Sequence, residues 1–345
     1  MNNFFMEMIR KTIQSIQKRG FFGVLRAAIA DFFEVTSRHL AHIRDYGSKY
    51  TFIDRRLNKP TLVVILAGYK SYLWSATLAR LEKHAPPDAD LCIASAGTYS
   101  KELADFCARA GWSYLSVKRN APGVALNRAI ALHPSADFIY KIDEDIFVGQ
   151  KFFQLLHAGY EHAWRDSFLE PGFCAPVLNV NGISYRAFLR ELGHESEYQR
   201  EFGELIIRCS ELPVHNDPKA SWWLWQRTLP FDEKSERFSN LLGRYSICST
   251  RFSIGAILFR RSFIEKVGGF KSSWHSGVLG VDEDMLCRDC ISKSRPMYII
   301  ESALAGHFSF YPQEIFMRER LADMARLDPA TFPPEHFCTS TNRPT

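Results

Sequence analysis

From Pro60 onward the chain alternates short apolar runs with stretches whose apolar residues recur every three or four positions. Thr61-Leu62-Val63-Val64-Ile65-Leu66 is apolar after its first residue, as in a strand buried on both faces, and Ala67-Gly68-Tyr69 closes it with a turn. A helix is predicted over Leu73–Lys83, then a strand over Leu91–Ala94 that ends near Gly97. A helix over Lys101–Ala110, a strand over Ser113–Val117 and a helix containing Asn127–Leu132 repeat the pattern. Phe138-Ile139-Tyr140 opens the next strand. This alternation predicts an α/β fold, a mostly parallel sheet with helices on its faces, in which ligands bind beyond the carboxyl ends of the strands.

The rest of the chain is less regular. Residues 1 to about 45 place Phe5, Met8, Ile9, Ile13 and Ile16, then Phe21, Phe22, Leu25 and Ile29, at helical spacing beside Arg10, Lys11, Lys18, Arg19 and Arg26. Such an amphipathic arm suits either a helix lying on an anionic membrane surface or an arm packed on the body or on a second subunit. Residues 170–245 hold five prolines and Trp222, Trp223 and Trp225 with no clear period, and read as an insertion with long loops. Its tryptophans read as packing in preference to a sugar-stacking surface. A strand over Arg251–Phe259 and a helix over Arg260–Val267, capped by Gly268-Gly269, follow. The organisation expected is an arm (1–50), two halves of an α/β domain (60–150 and 151–312) and a C-terminal helix and tail (313–345).

Two acidic clusters interrupt this pattern. The strand opened by Phe138 runs into Asp143-Glu144-Asp145. If the strand continued, Asp143 and Asp145 would share one face and Glu144 the other. Two carboxylates so placed repel unless a cation lies between them, and oxygen ligands of this kind suit Mg²⁺ or Mn²⁺ together with a phosphorylated substrate. Asp282-Glu283-Asp284 opens a later helix after Gly277 and Gly280, where the helix dipole favours ionised carboxylates. Taken singly, each is ordinary: a solvated acidic turn, and an acidic helix start. An ionised carboxylate beside a metal–phosphate site is also what a general base requires.

Composition narrows the classes. The 345 residues carry a formal charge of +5, too mild for a nucleic-acid binder, and 46% hydrophobic residues suffice for a sizeable core. Aromatic residues reach 14%, a surplus suited to a binding groove or a membrane surface. Eight scattered cysteines in a chain this long fit a reduced, cytosolic setting, and the lone pair Cys287 and Cys290 lacks the second pair a zinc site needs. No window has the apolar length of a membrane span, and Glu7, Arg10 and Lys11 break the N-terminal apolar run that a signal peptide needs. The expected location is cytoplasmic, either free or peripheral on the inner face of the cell membrane.

The ordered set, covering residues 60–310, resembles the glycosyltransferase family 2 enzymes of the GT-A fold. Asp143-Glu144-Asp145 is similar to their DxD motif, and Asn127 to the asparagine that often ends the preceding segment. Ile257–Arg261 through Gly268-Gly269-Phe270 is similar to the segment leading to the acceptor site. Glu283-Asp284 is similar to the ED pair whose aspartate is the implied base, although Asp282-Glu283-Asp284 can be aligned in two ways. Gly306-His307 is similar to a C-terminal metal-binding histidine. The resemblance implies a metal-dependent, inverting enzyme that moves a sugar from a nucleotide-diphosphate donor to a hydroxyl of a glycan or lipid-linked glycan, in bacterial surface-polysaccharide synthesis.

On that reading Asp143, Asp145 and His307 hold Mn²⁺ or Mg²⁺. Asp284, with Glu283 and Asp282, forms the catalytic cluster. Ala67, Gly68, Tyr69, Ser95, Asn127, Asp143 and Glu144 border the donor, Tyr69 by stacking on its base. The segment Ala94–Thr98 departs from the family, which has aspartates near the base there. Two other readings remain: a sugar-nucleotide nucleotidyltransferase, for which Ala67-Gly68-Tyr69-Lys70 makes a poor phosphate loop, and a catalytically silent glycan-binding scaffold. The oligomeric state, the donor sugar and the acceptor are not legible.

Overall fold

A computed structural model describes residues 47–337 apart from 209, 274–277 and 279, together with 22, 25, 29, 44 and 45. The chain divides into two units, residues 1–48 and 49–345. The amphipathic arm expected over 1–50 lies almost wholly outside the described residues, and everything below belongs to the second unit. Among the described residues no helix is long and apolar enough to cross a membrane.

The order is β1 (Tyr50–Ile53), β2 (Thr61–Leu66), α1 (Ser71–His84), β3 (Ala89–Ala96), α2 (Lys101–Ala110), β4 (Ser113–Val117), α3 (Pro122–Leu132), β5 (Phe138–Asp143) and β6 (Ile146–Val148). Then come α4 (Phe152–Ser167), β7 (Phe173–Leu178), α5 (Tyr185–Leu192), α6 (Glu195–Phe202), α7 (Pro213–Asn216), α8 (Pro218–Thr228) and α9 (Phe231–Ser239). The chain continues with β8 (Tyr245–Cys248), β9 (Ala256–Arg260), α10 (Arg261–Val267), α11 (Val281–Ser292) and β10 (Met297–His307). It closes with α12 (Glu314–Glu319), α13 (Leu321–Leu327) and α14 (Pro334–Phe337).

The strands form one ten-stranded sheet in the order β1-β4-β3-β2-β5-β9-β7-β10-β6, with β8 paired to β10. β2 lies between β3 and β5, parallel to both, with Thr61 opposite Ala89 and Phe138. β4 is parallel to β3, and β10 to β7. β9 runs antiparallel to both β5 and β7. The expected fold class, a largely parallel sheet flanked by helices, is therefore what the chain adopts. Leu62, Val63, Val64 and Ile65 are fully buried, which is why their run shows no alternation. The carboxyl ends of β2, β3, β4, β5, β7 and β10 all fall at one edge.

The middle of the chain is not a loop-rich insertion. β7 enters the central sheet beside β9 and β10, and five helices follow it. Prolines break up the later part of this region: Pro213 and Pro218 each open a helix, and Pro230 follows the cis peptide bond after Leu229, whereas α5 carries a helical period in its buried Tyr185, Phe188 and Leu189. Trp225 is fully buried, with Phe147 and Phe332 at its faces and edges, and Trp222 and Trp223 pack against the core.

Asn127 staples α3 to the turn after α10. Its Oδ1 accepts from the Phe270 N–H at 2.8 Å and its Nδ2 donates to the Phe270 carbonyl at 2.8 Å. Gly269 has φ +79°, and a Cβ there would come within 2.7 Å of the Asn127 Oδ1, so this contact requires glycine. Asn127→Ala leaves both Phe270 groups unpaired and should cost about 2 kcal/mol. A urea midpoint that falls with an unchanged slope is the expected outcome; an unmoved midpoint would show that the turn holds without the staple.

Candidate active site

β5 stops at Asp143, Glu144 and Asp145 form a turn, and β6 starts at once against the end of β10, with Ile146 opposite His307. The Phe308 N–H donates to the Asp145 carbonyl at 3.0 Å, closing the same junction. Residues far apart in sequence thus meet. The buried Asp145 Oδ2 lies 2.5 Å from the Lys70 Nζ and 3.5 Å from the His307 Nε2.

His307 is held from behind. Its ring Nδ1 lies 2.7 Å from the Val180 carbonyl, which can only accept, so Nδ1 carries the proton and donates. In the neutral ring this leaves the Nε2 lone pair facing Asp145, the orientation that a hydrogen bond behind the ring gives a metal-binding histidine. Asn179 Oδ1 accepts from the His307 N–H at 2.9 Å, and Trp225 Nε1 donates to the carbonyls of His307 and Phe308. Burial works to raise the Asp145 carboxyl, but Lys70 and His307 overrule it and hold the group far below the ordinary carboxylate range. Burial likewise opposes the Lys70 charge, and Asp145 more than restores it, so Lys70 is raised.

Asp143 belongs to a second cluster. Its Oδ1 lies 2.7 Å from the Nζ of buried Lys141, which also donates to the Ile254 carbonyl at 2.5 Å. Burial, with Asp145 and Asp282 nearby and Lys141 opposing them, pushes the Asp143 carboxyl up to about 6. Asp282 of the second acidic triplet is among the charges that raise Asp143. Glu283 is turned inward, accepting from Arg251 Nε at 2.7 Å and from the Ile254 N–H at 3.4 Å. Its carboxyl is raised by burial against the pull of Arg251. Gly280, the residue before α11, has φ +81°, and a Cβ there would lie 2.7 Å from Arg251 Nη2. Asp284 has a half-exposed side chain and pairs loosely with Arg288 at 3.8 Å. Successive side chains on a helix diverge by about 100°, so Asp282 and Asp284 cannot serve one point.

Other expected donor-site residues are spent inside the protein. Glu144 does not reach outward: its carboxylate accepts from the N–H groups of Gly68 and Tyr69 and from Trp74 Nε1 at 2.6–3.2 Å. It builds the turn after β2, and burial raises its carboxyl against those hydrogen bonds. Ser95 is fully buried and donates to the Ala67 carbonyl at 2.6 Å, so it shapes the same turn from below. Asn127 is committed to Phe270. Ala67 is buried, with its N–H on the Ala94 carbonyl. Tyr69 is exposed, and its hydroxyl donates to the Ala96 carbonyl at 2.6 Å, standing the ring between the ends of β2 and β3.

Among the described residues no group of three or more His, Cys, Asp or Glu side chains is gathered closely enough to hold a metal ion by itself. The triad expected from the sequence is not closed, because Lys141 takes Asp143. Asp145 and His307 do present an oxygen and a ring nitrogen to each other. That pair fits an ion that keeps several waters and takes its remaining ligands from phosphates.

Lys70 and Lys141 were missed. The signal for Lys141 was a lysine inside an otherwise apolar strand, two residues before Asp143 and so on its face. Lys70 directly follows Gly68-Tyr69, but its proximity to Asp145 is set by the sheet and has no local signature.

No family profile and no curated protein matches the chain. Solved structures do. A mannosyltransferase, PcManGT from Pyrobaculum calidifontis in complex with GDP-Man and Mn²⁺, is 11% identical over 90% of this chain and 78% of its own, with a TM-score of 0.44. GalNAc-T7 with UDP, GalNAc and Mn²⁺ is 10% identical over 74% of this chain, with a TM-score of 0.45. This chain covers 45% of that second protein. At these values the likeness is one of general architecture.

The raised Asp143 carboxyl has a stability consequence. The folded protein holds its proton up to about 6, against an ordinary 3.8, so between those values the folded state binds more protons than the unfolded one. Stability owed to this group is therefore present below the lower value and lost as pH rises through the upper. Without divalent ions, stability of the wild type relative to Asp143→Asn should fall between pH 4 and pH 7, read from urea midpoints. A difference that stays flat with pH would show that Asp143 titrates normally.

Proposed function

We propose that this protein is a metal-dependent glycosyltransferase of the GT-A type, moving a sugar from a nucleotide-diphosphate donor to a hydroxyl of a glycan or lipid-linked glycan. The observation that carries the reading is the meeting of Asp145 with His307 beside Lys70, at the sheet edge where Asp143 and Asp282 also converge. A sheet edge with one potential metal pair and one separate carboxylate supports glycosyl transfer over a silent scaffold, which needs neither. Asp145 and His307 would hold Mn²⁺ or Mg²⁺, which when bound neutralises charge on the departing diphosphate. The chain's own residues supply the rest. Tyr69 offers the exposed ring on which the donor base stacks.

Asp282 is the base in this proposal. It takes the proton from the acceptor hydroxyl as that oxygen attacks the anomeric carbon, and attack from the side opposite the diphosphate inverts the anomer. Arg251 and Ile254 hold Glu283 and so fix the first turn of α11, which sets where Asp282 stands. Bacterial surface-polysaccharide synthesis on the cytoplasmic face, with residues 1–45 touching the membrane, completes the proposal. It rests on the resemblance and on the basic, apolar pattern of those residues.

Asp282→Asn keeps the shape and removes the basicity. Donor binding should stay near normal while turnover falls by at least ~10²-fold, the low end for a lost general base. Asp284→Asn should stay close to wild type. The reverse ranking would move the base to Asp284; full activity in both variants would remove the carboxylate base altogether. Asp145→Ala should abolish Mn²⁺-dependent donor binding by calorimetry, and unchanged affinity would remove Asp145 from the donor site.

A further inference from the structure

Lys70 holds the oxygen that a metal ion would need. Its ammonium lies 2.5 Å from the Asp145 Oδ2, the same atom that His307 Nε2 faces at 3.5 Å. A divalent ion held by Asp145 and His307 would compete with Lys70 for the carboxylate, since two cations a few ångströms apart repel strongly in a buried setting. The ammonium therefore has to leave when the ion arrives. It has somewhere to go. The Lys70 side chain is about one-fifth exposed, while Asp145 is closed over, so the free route runs outward to the edge where β2 ends. There Lys70 immediately precedes α1, a helix of 14 residues whose first turn has no acidic residue and no side-chain cap. Glu144 already takes the N–H groups of Gly68 and Tyr69 ahead of that helix, and Glu314 accepts from the Tyr72 hydroxyl in its first turn, so what the edge offers an incoming diphosphate is the released Lys70 ammonium.

We propose that Lys70 is an exchangeable counter-cation: it neutralises Asp145 before substrate arrives, then moves to the donor's diphosphate when a divalent ion takes Asp145. The inference rests on the glycosyltransferase reading and adds to it an order of events. Metal alone must displace a cation and binds weakly. Metal with a nucleotide diphosphate binds well, because the displaced ammonium gains phosphate oxygens in place of the carboxylate it lost. The lysine thus couples metal binding to donor binding.

The coupling is measurable as opposite effects of one substitution. Mn²⁺ binding to the full chain is followed by electron paramagnetic resonance, and binding of UDP and of GDP in saturating Mn²⁺ by calorimetry. Lys70→Met should tighten Mn²⁺ alone by at least about fivefold, the competitor being gone, and weaken the better-bound nucleotide by about tenfold. Both affinities moving the same way, or neither moving, would overturn the proposal while leaving the donor site in place. A wild-type chain that binds Mn²⁺ with neither nucleotide would overturn the glycosyltransferase reading and this inference together.

Removing Lys70 leaves Asp145 buried without its main partner, which can unfold the variant. A second measurement on the wild type covers that case. Acylation of Lys70 by an amine-reactive reagent, mapped by mass spectrometry, should rise when Mn²⁺ is added and fall again when the nucleotide joins it. Reactivity that ignores both ligands would show that the ammonium never leaves Asp145.

Discussion

The connection between β5 and β6 sets the geometry on which the site depends. In the order of the sheet these strands are separated by β9, β7 and β10, about 19 Å at the usual strand spacing. Yet only Glu144 and Asp145 lie between them, a stretch that reaches about 11 Å at most. The sheet cannot be flat and keep both facts. β10 changes register against β7 between Ile300 and Leu304, and the ladder between β9 and β7 pairs Cys174 with Leu258 alone among the described residues. The two halves therefore splay and fold toward each other at their carboxyl edge. His307, the last residue of β10, is brought over the end of β5 because the chain there is too short to allow anything else.

This constraint explains why the buried charges are where they are. Asp145 is buried at this crossing, so its carboxylate needs a cation from the protein, and Lys70 supplies it, with the His307 ring alongside. Glu144, one residue earlier, faces away from the junction, where three hydrogen-bond donors receive it and lock the turn after β2. That lock also fixes Lys70, two residues beyond Gly68. The two acidic residues of one turn thus do different work: Glu144 shapes the place where Lys70 stands, and Asp145 presents the charge that Lys70 meets.

Much of the first half of the chain was legible in its sequence. Thr61–Leu66 and Ser113–Val117 are strands at the boundaries expected, and Lys101–Ala110 is a helix as expected, because a run buried on both faces and a helix with a Ser100 cap both leave local marks. The middle was not legible, since its helices are short and two of them start at prolines. The roles within the acidic clusters were also hidden. Strand alternation could not place Glu144, because β5 ends one residue before it. Which aspartate of α11 faces β5 depends on the helix phase that Gly280 and the Arg251–Glu283 pair impose. Asn127 and Ser95 have the composition of ligand contacts, yet they hold turns; a side chain's partner across the sheet leaves no trace in its own neighbourhood.

The central claim is that the Asp145–His307 junction serves transfer from a nucleotide-diphosphate donor. Release of nucleotide diphosphate from a panel of nucleotide sugars, followed with Mn²⁺ and again with chelator, tests it most directly. The account predicts release from at least one donor in Mn²⁺ and its loss in chelator. Absence of release from every donor in Mn²⁺, or release that chelator leaves untouched, would contradict it.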